Sequence, residues 1–197
     1  MAGPGAVGGG DGIGGAEGRR SALSSGPWQP PDAAERYEIL AAARTVALVG
    51  ASPNPSRSSF FVATYLLSST PYEVFFVNPR ASEILGRPVY PALADLPVKP
   101  DIVDVFRRHD DLPGVAREAV AADARVLWLQ LGSWHEEAAE LATRAGLKVV
   151  MDRCLKIEHA RFHGGLHLAG FDTGVISSRR ALVAGPARPT EPGRGSR

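Results

Sequence analysis

Short, nearly unbroken apolar runs alternate along the chain with longer stretches whose apolar residues recur at helical spacing. The runs are Thr45–Val49, Glu73–Val77, Asp101–Phe106, Arg125–Leu131 and Lys148–Met151. Strands that read as continuous apolar runs are covered on both faces, as in parallel sheets. The intervening stretches carry helix punctuation. Asp32 precedes a helix that runs to about Ala43, with Glu35 three residues on to complete a capping box. Further helices are predicted from Ser58 to about Leu67 and from Pro113 to Ala122. Ser133 and Glu136 repeat the capping-box spacing ahead of a helix that stops at Gly146. Pro88–Tyr90 reads as a brief edge strand. Strands separated by helices imply right-handed βαβ units. The expected fold class is therefore α/β, a three-layer domain with a mostly parallel sheet.

Composition changes this picture at the ends. Residues 1–27 are mostly Gly, Ala and Ser. They offer too little apolar surface to offset their ordering entropy, so a disordered Gly-rich tail is expected there. Gly8-Gly9-Gly10 and Gly14-Gly15 follow no strand and read as linker glycines, not a phosphate loop. The expected domain spans 28–180, and 181–197, rich in Pro, Gly and Arg, reads as a flexible C-terminal tail. The 197 residues are 44% hydrophobic and carry a net charge of +1, enough apolar material for one core and no charge excess that would point to nucleic acid or an acidic membrane. One cysteine, Cys154, permits no internal disulfide and no thiolate zinc site. No apolar run approaches the roughly 20 residues of a membrane span, and no signal peptide is visible. A soluble, cytoplasmic protein is expected.

Open parallel sheets bind ligands beyond the carboxyl ends of their strands, so the chemistry should follow the apolar runs. Gly50 closes the first run, and a helix begins within ten residues. Backbone N–H groups at a helix start attract anions. Ser52, Ser56, Ser58 and Ser59 add hydroxyls, and Arg57 adds a guanidinium suited to phosphate oxygens. The loop is neither G-x-x-x-x-G-K-[ST] nor G-x-G-x-x-G, and Pro53 and Pro55 stiffen it. In NAD-binding domains an acid after the second strand holds the ribose hydroxyls. Here that place holds Asn78-Pro79-Arg80. Arg80 would pair with a phosphate on the ribose, which favours NADP or coenzyme A. Arg107, Arg108 and His109 follow the third run and can line the same crevice, whereas Phe106 at the strand end reads as core rather than an adenine platform.

Other residues read more simply. Gln130 stands in an apolar strand, where a buried amide must be hydrogen-bonded; bracing a neighbouring loop is preferred over facing ligand. Trp128 and Trp134 read as packing residues. Asp152, Arg153 and Lys156 could form an ion-pair group. Cys154 reads as a small buried hydrophobe rather than a reactive thiol. His159, His163 and His167 recur every four residues, but Gly164-Gly165 interrupts the helix and no acidic partner is evident. No catalytic or metal-ligating residue is assigned.

Several blocks carry a resemblance: Val49-Gly-Ala-Ser-Pro-Asn-Pro-Ser-Arg-Ser58, Val77-Asn-Pro79, Asp101-Ile-Val-Asp-Val-Phe-Arg-Arg108, Val126-Leu-Trp-Leu-Gln-Leu-Gly132 and Met151-Asp-Arg-Cys-Leu-Lys-Ile-Glu-His159. In this order, over roughly residues 33–162, the chain resembles the stand-alone CoA-binding proteins of the YccU-like family. More remotely it resembles the CoA-binding domain of the succinyl-CoA synthetase alpha subunit. The resemblance implies a Rossmann-like sheet that holds coenzyme A across its strand ends. It implies that the loop from Gly50 and Ala51 through Ser52 and Pro53 to Arg57 and Ser58 cradles the diphosphate. Asn78, Pro79 and Arg80 would lie near the adenosine and its ribose phosphate. Phe106 and Arg107 would border the nucleotide, and the turn from Gln130 to Gly132 would close the crevice. The roles of Arg80 and Arg107 are an extension from their charge.

Three functions compete. The first is a module that binds CoA or an acyl-CoA without a catalytic centre of its own. The second is an NADP-dependent oxidoreductase, disfavoured by the missing glycine fingerprint and the lack of a substrate domain. The third is the CoA-carrying subunit of a multi-chain acyl-CoA synthetase, which would need a ligase partner chain. A homo-oligomer stays open as a further partner.

Overall fold

The computed structural model of the chain describes residues 28–163. The expected tails at 1–27 and 181–197 lie outside the described residues, as do 164–180, Gly164-Gly165 and His167.

The chain runs α1 (Ala33–Ala42), β1 (Thr45–Val49), α2 (Ser58–Ser69), β2 (Glu73–Val77), β3 (Glu83–Ile84), β4 (Arg87–Tyr90), β5 (Ile102–Val105), α3 (Leu112–Ala121), β6 (Val126–Leu129), α4 (Glu136–Arg144), β7 (Lys148–Val150) and α5 (Leu155–His163). The sheet order is β3-β4-β2-β1-β5-β6-β7. Every pairing is parallel except β3 with β4. The architecture is the expected Rossmann-like α/β fold, with the core divided between the two faces of the sheet. Strand alternation sends Val46, Leu48, Ile102 and Trp128 to one face, where they pack with Ile39, Leu40, Val62, Leu66, Leu155 and Phe162. Ala47, Val49, Val103, Val105, Leu127 and Leu129 face the other side, against Leu112, Ala116, Ala138 and Ala142. Small alanines on α3 and α4 let those helices lie close to the sheet.

Local rules explain most boundaries. The Asp32 carboxylate accepts the Glu35 N–H at 2.8 Å and the Glu35 side chain accepts the Asp32 N–H at 2.8 Å, the expected capping box. The second expected box does not form. The N-cap of α4 is His135, whose Nδ1 accepts the Ala138 N–H at 3.3 Å. Ser133 is instead held in a turn: its N–H donates to the Gln130 carbonyl, and its own carbonyl accepts the Asp152 N–H. Those bonds tie the turn to the end of β7 and delay the helix by two residues. The expected edge strand is also displaced. Residues 87–90 pair with β2 on one side and with β3 on the other, so the two-residue β3 forms the edge. The hairpin between them turns at Leu85 and Gly86, with φ of 50° and 73°. Positive φ at both central residues is the two-residue hairpin geometry, but Leu-Gly lacks the Asn-Gly or Asp-Gly signature that announces it.

A buried ionic triad joins the first and last helices. Arg36 Nε donates to Glu158 Oε2 at 2.8 Å, and Arg161 Nη1 donates to Glu158 Oε1 at 3.2 Å. Arg36 also donates to the Pro31 carbonyl at 2.6 Å. All three charged side chains are buried. One carboxylate thus holds two guanidinium groups out of water, and removing it leaves both uncompensated. Glu158→Gln should therefore lower unfolding free energy by about 3–5 kcal/mol. Urea denaturation with an unchanged slope would measure it, and a loss under about 1 kcal/mol would mean that water reaches the triad.

Candidate functional site

The strand order reverses between β1 and β5, since the chain passes from β1 to β2 on one side and takes up β5 on the other. Such a switch point opens a crevice beyond the carboxyl ends of the strands. Gly50 and Phe106 stand at its two lips. The Gly50 N–H donates to the Val77 carbonyl at 2.9 Å, and the Phe106 N–H donates to the Val49 carbonyl at 2.8 Å, so both residues leave directly from the ladder. Gly50 has φ +83°, and a Cβ there would lie 2.5 Å from the Phe106 carbonyl oxygen. The same Cβ would lie 3.2 Å from the Arg107 Cδ, which places that side chain over Gly50.

The loop after Gly50 is folded on itself. The Ser59 hydroxyl accepts the Ser52 N–H at 3.2 Å, Ser52 Oγ accepts the Asn54 N–H at 3.2 Å, and Asn54 Oδ1 accepts the Ser56 N–H at 2.9 Å. Ala51 is buried, whereas Pro53, Arg57 and Ser58 are exposed. The serines and Asn54 thus shape the loop, and the helix behind it stays open: Arg57, the N-cap of α2, makes no capping bond through its side chain. The twelve-residue helix thus starts without a side-chain cap, its Phe60 N–H donating to the Arg57 carbonyl at 3.0 Å. Asn78 links the second wall to the first, because its Nδ2 donates to the Ala51 carbonyl at 2.6 Å. Asn78 Oδ1 accepts the Arg80 N–H at 2.9 Å and sets the turn through Pro79. Arg57, Arg80 and Arg107 hold no ion pair among the described residues. Arg108 reaches Asp111 at 3.9 Å.

Beyond β6, the Gly132 N–H donates to Asp152 Oδ1 at 2.7 Å, which fastens the turn from Gln130 to Gly132 onto the end of β7. Gln130 braces, as its polarity suggested, but its partner is a carboxylate in the sheet rather than a loop. Its Nε2 donates to Asp104 Oδ1 at 2.7 Å and to Oδ2 at 2.9 Å. Sequence reasoning overlooked Asp104. The signal was present, since an acid amid the apolar residues of 102–105 is as anomalous as Gln130. Burial pushes the Asp104 carboxyl up to about 8, against the opposing pull of the Gln130 amide and the Val105 N–H.

Cys154 is half-buried, and desolvation raises its thiol pKa, with Asp104 adding to the rise and Lys156 opposing it. That environment is the opposite of an activated thiolate. His159 stacks on His163 with ring centroids 4.3 Å apart, and its Nδ1 lies 3.0 Å from the Tyr65 hydroxyl. Burial, with the neighbouring His163, drives His159 down to about 4. Trp128 is fully buried and donates to the Arg153 carbonyl at 2.7 Å, while Trp134 packs edge-on against Trp28.

A cavity of about 570 Å³ lies at the other edge of the sheet, near the amino ends of β1, β5, β6 and β7. Its charges are largely engaged with one another, Lys99 with Asp123 and Arg125 with Asp101. Arg57, Arg80 and Arg107, without an ion pair among the described residues, instead follow the carboxyl ends of β1, β2 and β5.

The model of the CoA binding domain matches residues 44–160, which includes that crevice. The chain belongs to the CoA binding domain family. Within that family it is 41% identical over 132 residues to the Bacillus subtilis protein YneT, covering 67% of this chain and 97% of YneT. A hypothetical protein from Pyrococcus horikoshii OT3 superposes with a TM-score of 0.66 at 37% identity, over 70% of this chain and 98% of that one. An ADP-forming acetate–CoA ligase of Archaeoglobus fulgidus is 27% identical over 124 residues, 57% of this chain but 18% of the ligase.

Two outcomes follow from this geometry. Gly50→Ala should cost about 1–3 kcal/mol of stability, since the methyl group meets backbone and the φ is left-handed; an unchanged melting temperature would contradict the close approach. Asp104 titrates higher in the folded chain than in the unfolded one, so its contribution is full below about pH 4 and is lost as pH rises through about 8. Asp104→Asn should flatten that decline in a series of urea unfolding curves across this range.

Proposed function

We propose that the protein binds coenzyme A or an acyl-CoA in the crevice between β1 and β5, as a binding module. The observation that carries this reading is the switch point itself, where Gly50 lies against the Phe106 carbonyl with the Arg107 side chain over it; Arg57 and Arg80 follow β1 and β2 on the adjoining loops and hold no ion pair among the described residues. Coenzyme A brings a diphosphate and a ribose phosphate, and these need separate cationic positions. In this reading the diphosphate lies on the loop from Gly50 to Ser58, with Arg57 beside it. Arg80 meets the ribose phosphate from the turn that Asn78 and Pro79 set. Phe106 and Arg107 border the nucleotide, and Gln130 and Gly132 close the far side. Membership of the CoA binding domain family supports the choice of coenzyme A over NADP. No helix among the described residues is long and apolar enough to cross a membrane.

The likeness to the acetate–CoA ligase favours one second reading, in which the protein supplies the CoA-binding part of a multi-chain acyl-CoA synthetase. That reading requires a nucleotide-binding partner chain, and co-purification from native cells would reveal it.

Calorimetric titration with CoA, dephospho-CoA, NAD and NADP tests the main reading. Saturable binding of CoA is expected, with NADP weak or silent; NADP binding without CoA binding would overturn it. Arg80→Ala should weaken CoA by about tenfold, in keeping with a charge-assisted contact, and leave dephospho-CoA nearly unchanged. Equal losses for both ligands would remove Arg80 from the ribose-phosphate position.

A further inference from the structure

Asp104 is a carboxyl group set inside a central strand of a parallel sheet, with no exposed surface. Leu48 and Trp128 are its register neighbours on the flanking strands. No cation pairs with it among the described residues. The groups that bond it are the Gln130 amide and the Val105 backbone N–H. Buried polar groups with so few partners are constrained by donor and acceptor arithmetic.

An ionised carboxylate only accepts hydrogen bonds, so it draws the amide nitrogen of Gln130 inward; the bonds from Nε2 to both oxygens have this orientation, which belongs to the form above about pH 8. A protonated carboxyl carries one donor, and the Gln130 carbonyl is the side-chain acceptor beside it. The two ends of a primary amide have nearly the same shape, so half a rotation exchanges them without repacking. Whichever end is not used by Asp104 points away from it. In the arrangement seen that end is Oε1, which makes no hydrogen bond among the described residues. It is also absent from the buried, unpartnered side-chain atoms among those residues, where Thr143 Oγ1 stands alone. Gln130 is 7% exposed, so Oε1 keeps a small opening to solvent one residue beyond β6, at the carboxyl edge of the sheet.

We propose that Asp104 is a specificity-setting residue beneath the crevice, whose proton decides whether the Gln130 amide turns its NH2 or its carbonyl toward the ligand. The inference rests on the reading that this crevice holds CoA or an acyl-CoA. With the NH2 outward, the site donates to a carbonyl oxygen, as an acyl thioester provides. With the carbonyl outward, it accepts from an N–H or S–H and leaves a thioester oxygen unmatched.

The burial that holds Asp104 near 8 puts the changeover slightly above neutrality. Of the other titratable groups on this face, Cys154 acts on Asp104, and Glu158, His159 and Tyr72 are engaged elsewhere. Cys154, ahead of α5, interacts electrostatically with Asp104, and Lys156 acts on Cys154. Glu158 is engaged by Arg36 and Arg161, and His159 by Tyr65 of α2. Tyr72, before β2, donates to the Leu40 carbonyl.

The test compares acetyl-CoA with CoA by calorimetry from about pH 6.5 to about pH 9.5, a range that brackets the Asp104 value of about 8. In the native protein the affinity ratio of acetyl-CoA to CoA should fall about three- to tenfold with rising pH, the worth of one hydrogen bond. Asp104→Asn, a neutral isostere, should show only the change that the ligands' own titrations impose. The same ratio profile in both proteins would overturn the proposal while leaving CoA binding intact. Absence of binding at every pH would instead defeat the CoA reading. The side-chain amide resonances of Gln130, followed by NMR without ligand, read the rotation directly. They should show an inflection with pH that Asp104→Asn lacks, and a featureless profile in the native protein would overturn the proposal independently.

Discussion

The approach of Gly50 to the Phe106 carbonyl is the contact on which the crevice depends. β1 is paired on both sides along its length, so its end has no freedom to swing away from either neighbour. Directly past the ladder the chain must diverge, one branch rising into α2 and the other leaving β5. Only a residue without a side chain lets the two branches part at this distance. A wider separation would move the end of β1 away from Arg107. The geometry of the site is thus inherited from strand pairing, and the loop residues refine it.

Much of this was legible in the sequence because the governing rules are local. Apolar runs gave five of the seven strands and their parallel arrangement, and Asp32 with Glu35 announced the first helix. Gly50 marked the end of the first strand, where the structure shows its close approach to Phe106. What escaped depended on contacts distant in sequence. Ser133 and Glu136 have the capping spacing, yet the end of β7 takes the Ser133 carbonyl and His135 inherits the cap. β3 is two residues long and has no periodicity to read. Asn78 was seen as a ligand neighbour, whereas its amide also bridges to Ala51 across 27 residues of chain. Asp104 was hidden because an acid in an apolar run has no meaning until Gln130, 26 residues away, is placed beside it.

The likeness to a much longer ligase gives the same crevice a second context. The shared portion is the part that would hold the CoA carrier, and a carrier site can serve sensing, storage or transfer without alteration. The fold alone does not choose among these roles, since it hosts many chemistries.

The triad that joins α1 to α5 bears on where the domain ends. The family match begins at residue 44 and stops at 160. Arg36 lies before the first of those limits, and Arg161 and Phe162 lie after the second. Trp28, further upstream, donates to the Val149 carbonyl of β7 at 3.1 Å. A fragment trimmed to the matched segment would keep Glu158 and lose both of its guanidinium partners, stranding an anion in the space between two helices, one of which would be gone. The segment that the family model matches is therefore shorter than the unit the triad fastens, whereas the 132 residues aligned with YneT exceed that segment, and boundaries drawn at 44 and 160 would cut through the molecule's own fastening.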